Sequence, residues 1–300
     1  MPWLSKGRAD RMDWLLAPFE LAFQQRALIG GSLAAIALAL VGVWVVIRGM
    51  SFLGDALVHG VVPGIALAIL FDFNLMVGAV LAALVMLAGI NLVHRQGTFS
   101  EDTSIGLLFV GMLGLGVIII SRTDSYTGSL TAILFGDALG VSGNDLWLLG
   151  GLLVVTAVAT TLLFRPFLVL SFNEQKAALL GLRPRLAHFA LLALITLAIV
   201  ASFRTVGTLL VFGLLVGPAA TAALLVRRVP VMMITAAMIG VISVAVGLIV
   251  SYHANTSGSA TMAVVPIAFF FAVLGVRSLP WGSPSGRGTR RNRPGSAAIP

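Results

Sequence analysis

Within the apolar run SFLGDALVHGVVPGIALAILF, residues 51–71, the only ionisable side chains are Asp55 and His59. Four residues apart, they share one face of a helix at a distance of one turn. A carboxylate oxygen and an imidazole nitrogen placed in this way can converge on a single cation or proton. Such groups cost a few kcal/mol or more in hydrocarbon and are retained where they face a protein interior or a polar pathway. The pair therefore points to transport; the alternative is an Asp–His pair that only packs helices together. Pro63 and Gly64 follow directly, which predicts a kink whose freed carbonyls face the same pathway. Gly217 and Pro218 predict a second kink of this kind.

Other candidate groups lie nearer the ends of apolar runs. His94 and His188 fall where a solvated interfacial role is expected. His253, in SYHANTSGSAT, stands at the outer end of an apolar run, placed either to receive a cation from a partner or to sit solvated in a loop. Asp124, Asp137 and Asp145 fall in or near one loop, where carboxylates attract cations. Glu101 and Asp102 precede an apolar run and fit the preference for negative charge at a helix N-terminus.

The elements that must position these residues follow from composition. Of 300 residues, 59% are hydrophobic and 10% charged, with a mean hydropathy of +1.05; an ordinary soluble domain is about 25% charged. Apolar windows of membrane-crossing length fall near 27–47, 51–71, 75–93, 104–121, 146–165, 186–203, 205–226, 230–251 and 260–276. This predicts an all-α, polytopic membrane bundle of about nine helices, because irregular backbone cannot face lipid and the runs lack the alternation of a membrane barrel. Residues 1–26 mix charges with Trp3, Trp14 and Phe19, as an interfacial amphipathic helix does, and show no cleavable signal peptide. Residues 277–300, rich in Gly, Ser, Pro and Arg, are expected to form a disordered tail.

Basic residues mark one side. Arg48, Arg95, the stretch 165–185, Arg227, Arg228 and the tail share it in a nine-span count, and the positive-inside rule makes it cytoplasmic. The charge of +8 is thus explained by topology, with no nucleic-acid partner. The segment 122–146 contains an apolar core of only about a dozen residues, a length that suits a re-entrant or interfacial helix. A full crossing there would invert the N-terminal half.

The chain has no cysteine, which excludes disulfides and thiolate metal sites and disfavours copper(I). A phosphate-binding GxxxxGK[ST] loop is absent too, since Lys6 and Lys176 are the only lysines and neither follows glycine. Energy must come from an ion gradient or from a separate ATPase. Within RPFLVLSFNEQKAALLGLRPR, a short helix is predicted between a cap at Asn173 and a stop at Gly181. A polar-capped helix between two spans on the cytoplasmic side is suited to docking a partner.

The segments RGMSFLGDALVHGVVPGIALA, SEDTSIGLLFVGMLGLGVIIIS, LTAILFGDALGVS, SFNEQKAALLGL and VGTLLVFGLLVGPAATAALL, in this order, resemble the signatures of the metal-ion permeases of bacterial ABC importers, which take up zinc, manganese or iron. The resemblance covers residues 27–276. It implies a type II-like importer permease of the bacterial inner membrane that has no ATPase activity of its own and binds no permanent cofactor. It also implies a second copy of the chain, two ATP-binding subunits that alone bind ATP, and an extracytoplasmic metal-binding protein. Carried over residue by residue, it makes Asp55 and His59 the intramembrane metal ligands. It further makes 172–182 a coupling helix, in which Phe172, Asn173, Glu174, Ala177 and Gly181 meet the ATPase; Asn173 stands where Asp is common in the family. Independently of the resemblance, the positions of His253 and of Asp124 and Asp137 make them candidates for an outer metal contact and an outer acidic approach. Two ligands from each of two copies could complete a four-coordinate site. Zinc is the favoured cargo, on the histidines at 59 and 253. Manganese or iron by the same mechanism, or a proton-coupled secondary transporter, are the alternatives; an intramembrane hydrolase lacks HExxH spacing.

Overall fold

Apolar runs without polar alternation satisfy their backbone in lipid only as helices, and that is the architecture found. The structure, a computed structural model, describes residues 17–95, 101–122, 139–172 and 183–278. After a 3-10 turn at Ala17–Glu20 the helices are α1 (Ala22–Ile47), α2 (Ser51–Gly60), α3 (Val62–Leu70), α4 (Leu75–Arg95), α5 (Glu101–Ile120), α6 (Gly143–Leu162), α7 (Phe164–Phe172), α8 (Pro184–Leu225), α9 (Val229–Ala254) and α10 (Gly258–Ser278). No strand occurs among the described residues. Eight described stretches are long and apolar enough to cross a membrane, α2 and α3 forming one of them, and Leu210–Leu225 is a shorter ninth apolar helix.

Packing fixes the direction of each helix. Gly30, early in α1, faces Leu146 and Leu149 early in α6. Late in α1, Trp44 meets Phe164 and Phe167 of α7 at ring separations of 5.5 Å each. α1 and α6 therefore run parallel, with α2–α3, α4 and α5 alternating between them. Gly64 and Gly78 bring the backbones of α3 and α4 so close that a Cβ on either would meet the other's carbonyl. Gly116 of α5 faces Val62 and Pro63. It follows that α5 ends on the same side as α6 begins, so the N-terminal half is not inverted; the short helix expected within 122–146 falls on 123–138, which lie outside the described residues.

α8 is two helices in one run. Gly207 has φ 74° and ψ 163°, a conformation that suits glycine and strains L-residues. Before it, α8 shares a groove with α2 and α4, lined by His188 and Val200 together with Asn91 and Leu53, and Val200 clusters with Ala79 near the start of α4. After it, Gly213 and Gly217 pack on Ala263 and Pro266 of α10, and the chain returns to the side from which it came. α9 then runs antiparallel to α1, Gly240 and Gly31 facing Ala35 and Val244.

One side of the bundle thus holds Arg48, Arg95, Arg165, Arg183, Arg227, Arg228 and Arg277. Among the described residues the opposite side carries fewer arginines, Arg26, Arg122 and Arg204. The positive-inside rule assigns the richer side to the cytoplasm.

α1 is the central helix, with Ala34, Ala37, Leu38, Val41 and Trp44 fully buried. It begins at Ala22, not at 27 as the charged N-terminal segment suggests. Gln24 is tolerated because it faces protein, 4% exposed, and the Gln25 amide donates to the Phe19 carbonyl at 2.7 Å. Residues 1–16 and the expected tail beyond Ser278 lie outside the described residues.

Candidate functional site

α2 opens one face. Leu53, Gly54, Ala56, Leu57, Val58 and Gly60 are buried, whereas Phe52, Asp55 and His59 are not, and at 100° per residue these three fall within about 60° of arc. Asp55 and His59 are 30% and 22% exposed, and Oδ1 stands 3.6 Å from Nε2. That separation exceeds a hydrogen bond. Two donors each about 2.1 Å from one tetrahedral ion lie about 3.4 Å apart, so the pair is spaced to hold one cation after a shift of a few tenths of an ångström.

The ring of His59 packs edge-on against Phe109 of α5 at 5.9 Å, and Phe109 meets Phe52 at 6.1 Å. Phe52 and Phe109 are the site residues that sequence reasoning missed. Phe52 could have been found, lying three residues before Asp55 on the same face; Phe109 carries no such signal, since only the packing of α5 on α2 brings it there. His59 Nδ1 is buried with no hydrogen-bond partner among the described residues. The described residues of this copy therefore do not supply the outer acceptor that usually orients a metal-binding imidazole.

The expected break is present. α2 stops at Gly60 and α3 starts at Val62, and Pro63, lacking an N–H, cannot donate to the His59 carbonyl, which the Val61 N–H approaches instead. Among the described residues no group of three or more His, Cys, Asp or Glu could hold a metal. At this face the described residues bring two candidate donors together, Asp55 and His59.

His253 stands apart from this pair. It lies in the last turn of α9, whose neighbours are α1, α8 and α10, with Nδ1 2.9 Å from the Ile249 carbonyl and its ring 5.2 Å from Tyr252. It is exposed on the extracytoplasmic side. Asp145 caps α6: it accepts from the Ser142 N–H at 3.0 Å and from the Ser142 hydroxyl at 2.6 Å, while its own N–H donates to that hydroxyl at 3.3 Å. That structural task accounts for a carboxylate otherwise grouped with the acidic approach. Asp124 and Asp137 lie outside the described residues, as do Asn173, Glu174, Ala177 and Gly181. Phe172 is the last residue of α7, which Trp44 anchors to α1 through Phe164 and Phe167.

Residues 20–277 match the ABC 3 transport family. The chain is 36% identical over 264 residues to the manganese transport system membrane protein MntC of Listeria monocytogenes, covering 88% of this chain and 94% of that protein. It is 33% identical over 269 residues to a probable iron transport system membrane protein of Haemophilus influenzae, covering 87% and 96%. Among solved structures, PsaBC from Streptococcus pneumoniae in complex with Fab superposes with a TM-score of 0.79 at 29% identity, covering 88% of this chain and 95% of that one. A match of this length, spanning every described helix, leaves one assignment: the chain is a multi-pass bacterial membrane protein that belongs to the ABC 3 transport family.

Proposed function

We propose that this chain is the membrane permease of an ABC importer for a divalent transition metal, and that the metal passes between Asp55 and His59. The observation that carries the proposal is the 3.6 Å separation of Oδ1 and Nε2 on the one open face of a membrane helix. The cargo is manganese or ferrous iron. One carboxylate and one imidazole suit either ion, and the relatives described above are named for manganese and iron. Zinc, which the histidines at 59 and 253 suggest, has no such support.

A second copy completes the site with two more donors. Gly111 and Gly114 of α5, beside the open face of α2, have no neighbouring atom within 4 Å of a Cβ position. Small residues at such a surface let two helices approach closely. Two ATP-binding subunits on the basic face supply the energy, reached through 172–182, and an extracytoplasmic metal-binding protein delivers cargo near His253, Asp124 and Asp137. The permease itself catalyses nothing.

The test is uptake of radioactive manganese into vesicles that contain the chain and its ATP-binding partner. Uptake that needs ATP inside and metal-loaded binding protein outside is expected. Uptake driven by a pH gradient without ATP would establish the proton-coupled alternative.

A further inference from the structure

A groove of about 690 Å³ runs between α2, α4 and the first half of α8. Its walls include Leu53 of α2, Met76, Val80 and Leu84 of α4, and Phe189 and Leu197 of α8. From Met76 to Asn91 it follows α4 for fifteen residues, about 22 Å at 1.5 Å per residue. It therefore begins at the cytoplasmic end of the hydrocarbon and passes the midplane of a layer about 30 Å thick.

The groove is separate from the Asp55–His59 face. Leu53 precedes Asp55 by two residues and so points about 200° away round α2. Water does not suit it, since the polar residues in its walls are Asn91 and His188 at one end and Thr196 midway. A lone hydroxyl is too little to hydrate a channel of this length. Its rim is open sideways at Val80, Leu84, Phe189 and Leu197, each exposed, where the surrounding solvent is lipid.

The two ends differ in charge. The Asn91–His188 end is the cytoplasmic one, where exposed Arg183 immediately precedes α8, Arg185 follows, and α4 ends on Arg95. Basic pockets between membrane helices on the cytoplasmic side attract anionic headgroups. An apolar groove of acyl-chain length that ends in an amide, an imidazole and basic chain termini matches one class of molecule. We propose that it holds an acyl chain of an anionic phospholipid from the cytoplasmic leaflet, its phosphate at the Asn91–His188 end. The site is independent of which ion the permease carries.

The experiment places the full chain with its ATP-binding partner in phosphatidylcholine vesicles doped with phosphatidylglycerol that carries a diazirine on one acyl chain. A second series uses phosphatidylcholine with the same diazirine. After illumination, labelled peptides are mapped. Labelling by the phosphatidylglycerol probe is expected at 80–91 and 188–197, in excess of that on the more exposed α6 face at Val154 and Leu162. Ala193→Trp, which fills the groove, removes this excess and leaves α6 labelling unchanged. Ala88→Phe, on the opposite wall, is the second filling variant should the first fail to assemble. Arg183→Gln lowers the preference for the anionic probe about fivefold. Equal labelling of α4, α8 and α6 would overturn the site, leaving only the lipid that coats any membrane protein. So would excess labelling that survives both filling variants, or a disulfide between two copies bearing Leu84→Cys, which would make the groove a contact between permeases.

Discussion

At the scale of single residues, the proposed site depends on two donor atoms and the ring that packs against one of them. Asp55 and His59 were legible in the sequence because ionisable residues stand out in an apolar run and a spacing of four fixes a shared face. The wall formed by Phe109 was not, because its position depends on how α5 packs on α2. An edge-on aromatic pair contributes about 0.5–1.5 kcal/mol beyond its buried area. Phe109→Leu keeps most of the volume and loses that orientation. We expect it to raise the metal concentration for half-maximal uptake several-fold while the amount of assembled complex stays the same. Unchanged half-saturation would show that the ring only fills space. Asp145 illustrates the reverse: a capping carboxylate looks like a ligand in a list of residue types, and its hydrogen bonds to Ser142 show the structural task.

At the scale of elements, hydropathy located the spans to within a few residues because each must cover the same hydrocarbon thickness. The start of α1 was misjudged because polar residues at a helix end are indistinguishable by composition from an interfacial segment. The two windows 186–203 and 205–226 imply a reversal between them, but not that Gly207 makes it, since one glycine among many carries no mark of its φ. The short helix expected in 172–182 follows α7, which is held to α1 through Trp44, Phe164 and Phe167. In the proposed coupling role, this anchored α7 would pass the motion of a docked subunit into the bundle. Reversing the charge with Glu174→Lys should release the ATP-binding subunit in detergent, or leave its ATP hydrolysis running without uptake, with metal binding unchanged. Coupled uptake at the normal rate would remove the segment from the docking role.

At the scale of the whole molecule, the direction of each helix and the arginine distribution make one statement about sidedness that labelling can check. The chain has no cysteine, so single substitutions report without background. Cysteines at Ser142 and Asn255 should react with an impermeant maleimide added outside intact cells, and cysteines at Gly49 and Arg228 only after permeabilisation. The opposite pattern at either pair would overturn the orientation and, with it, the placing of the ATP-binding partner. The account rests most heavily on the claim that the ion passes between Asp55 and His59, and one comparison addresses it directly: ATP-driven uptake of radioactive manganese by the complex carrying Asp55→Asn. That change keeps shape and hydrogen bonding but removes the charge that holds a divalent ion. Losing an outer-shell partner of a metal ligand costs about 10–100-fold, so loss of the ligand charge itself should lower uptake by at least as much, with assembly and ATP-subunit binding intact. Uptake within twofold of the unaltered chain, from normally assembled complex, would contradict it.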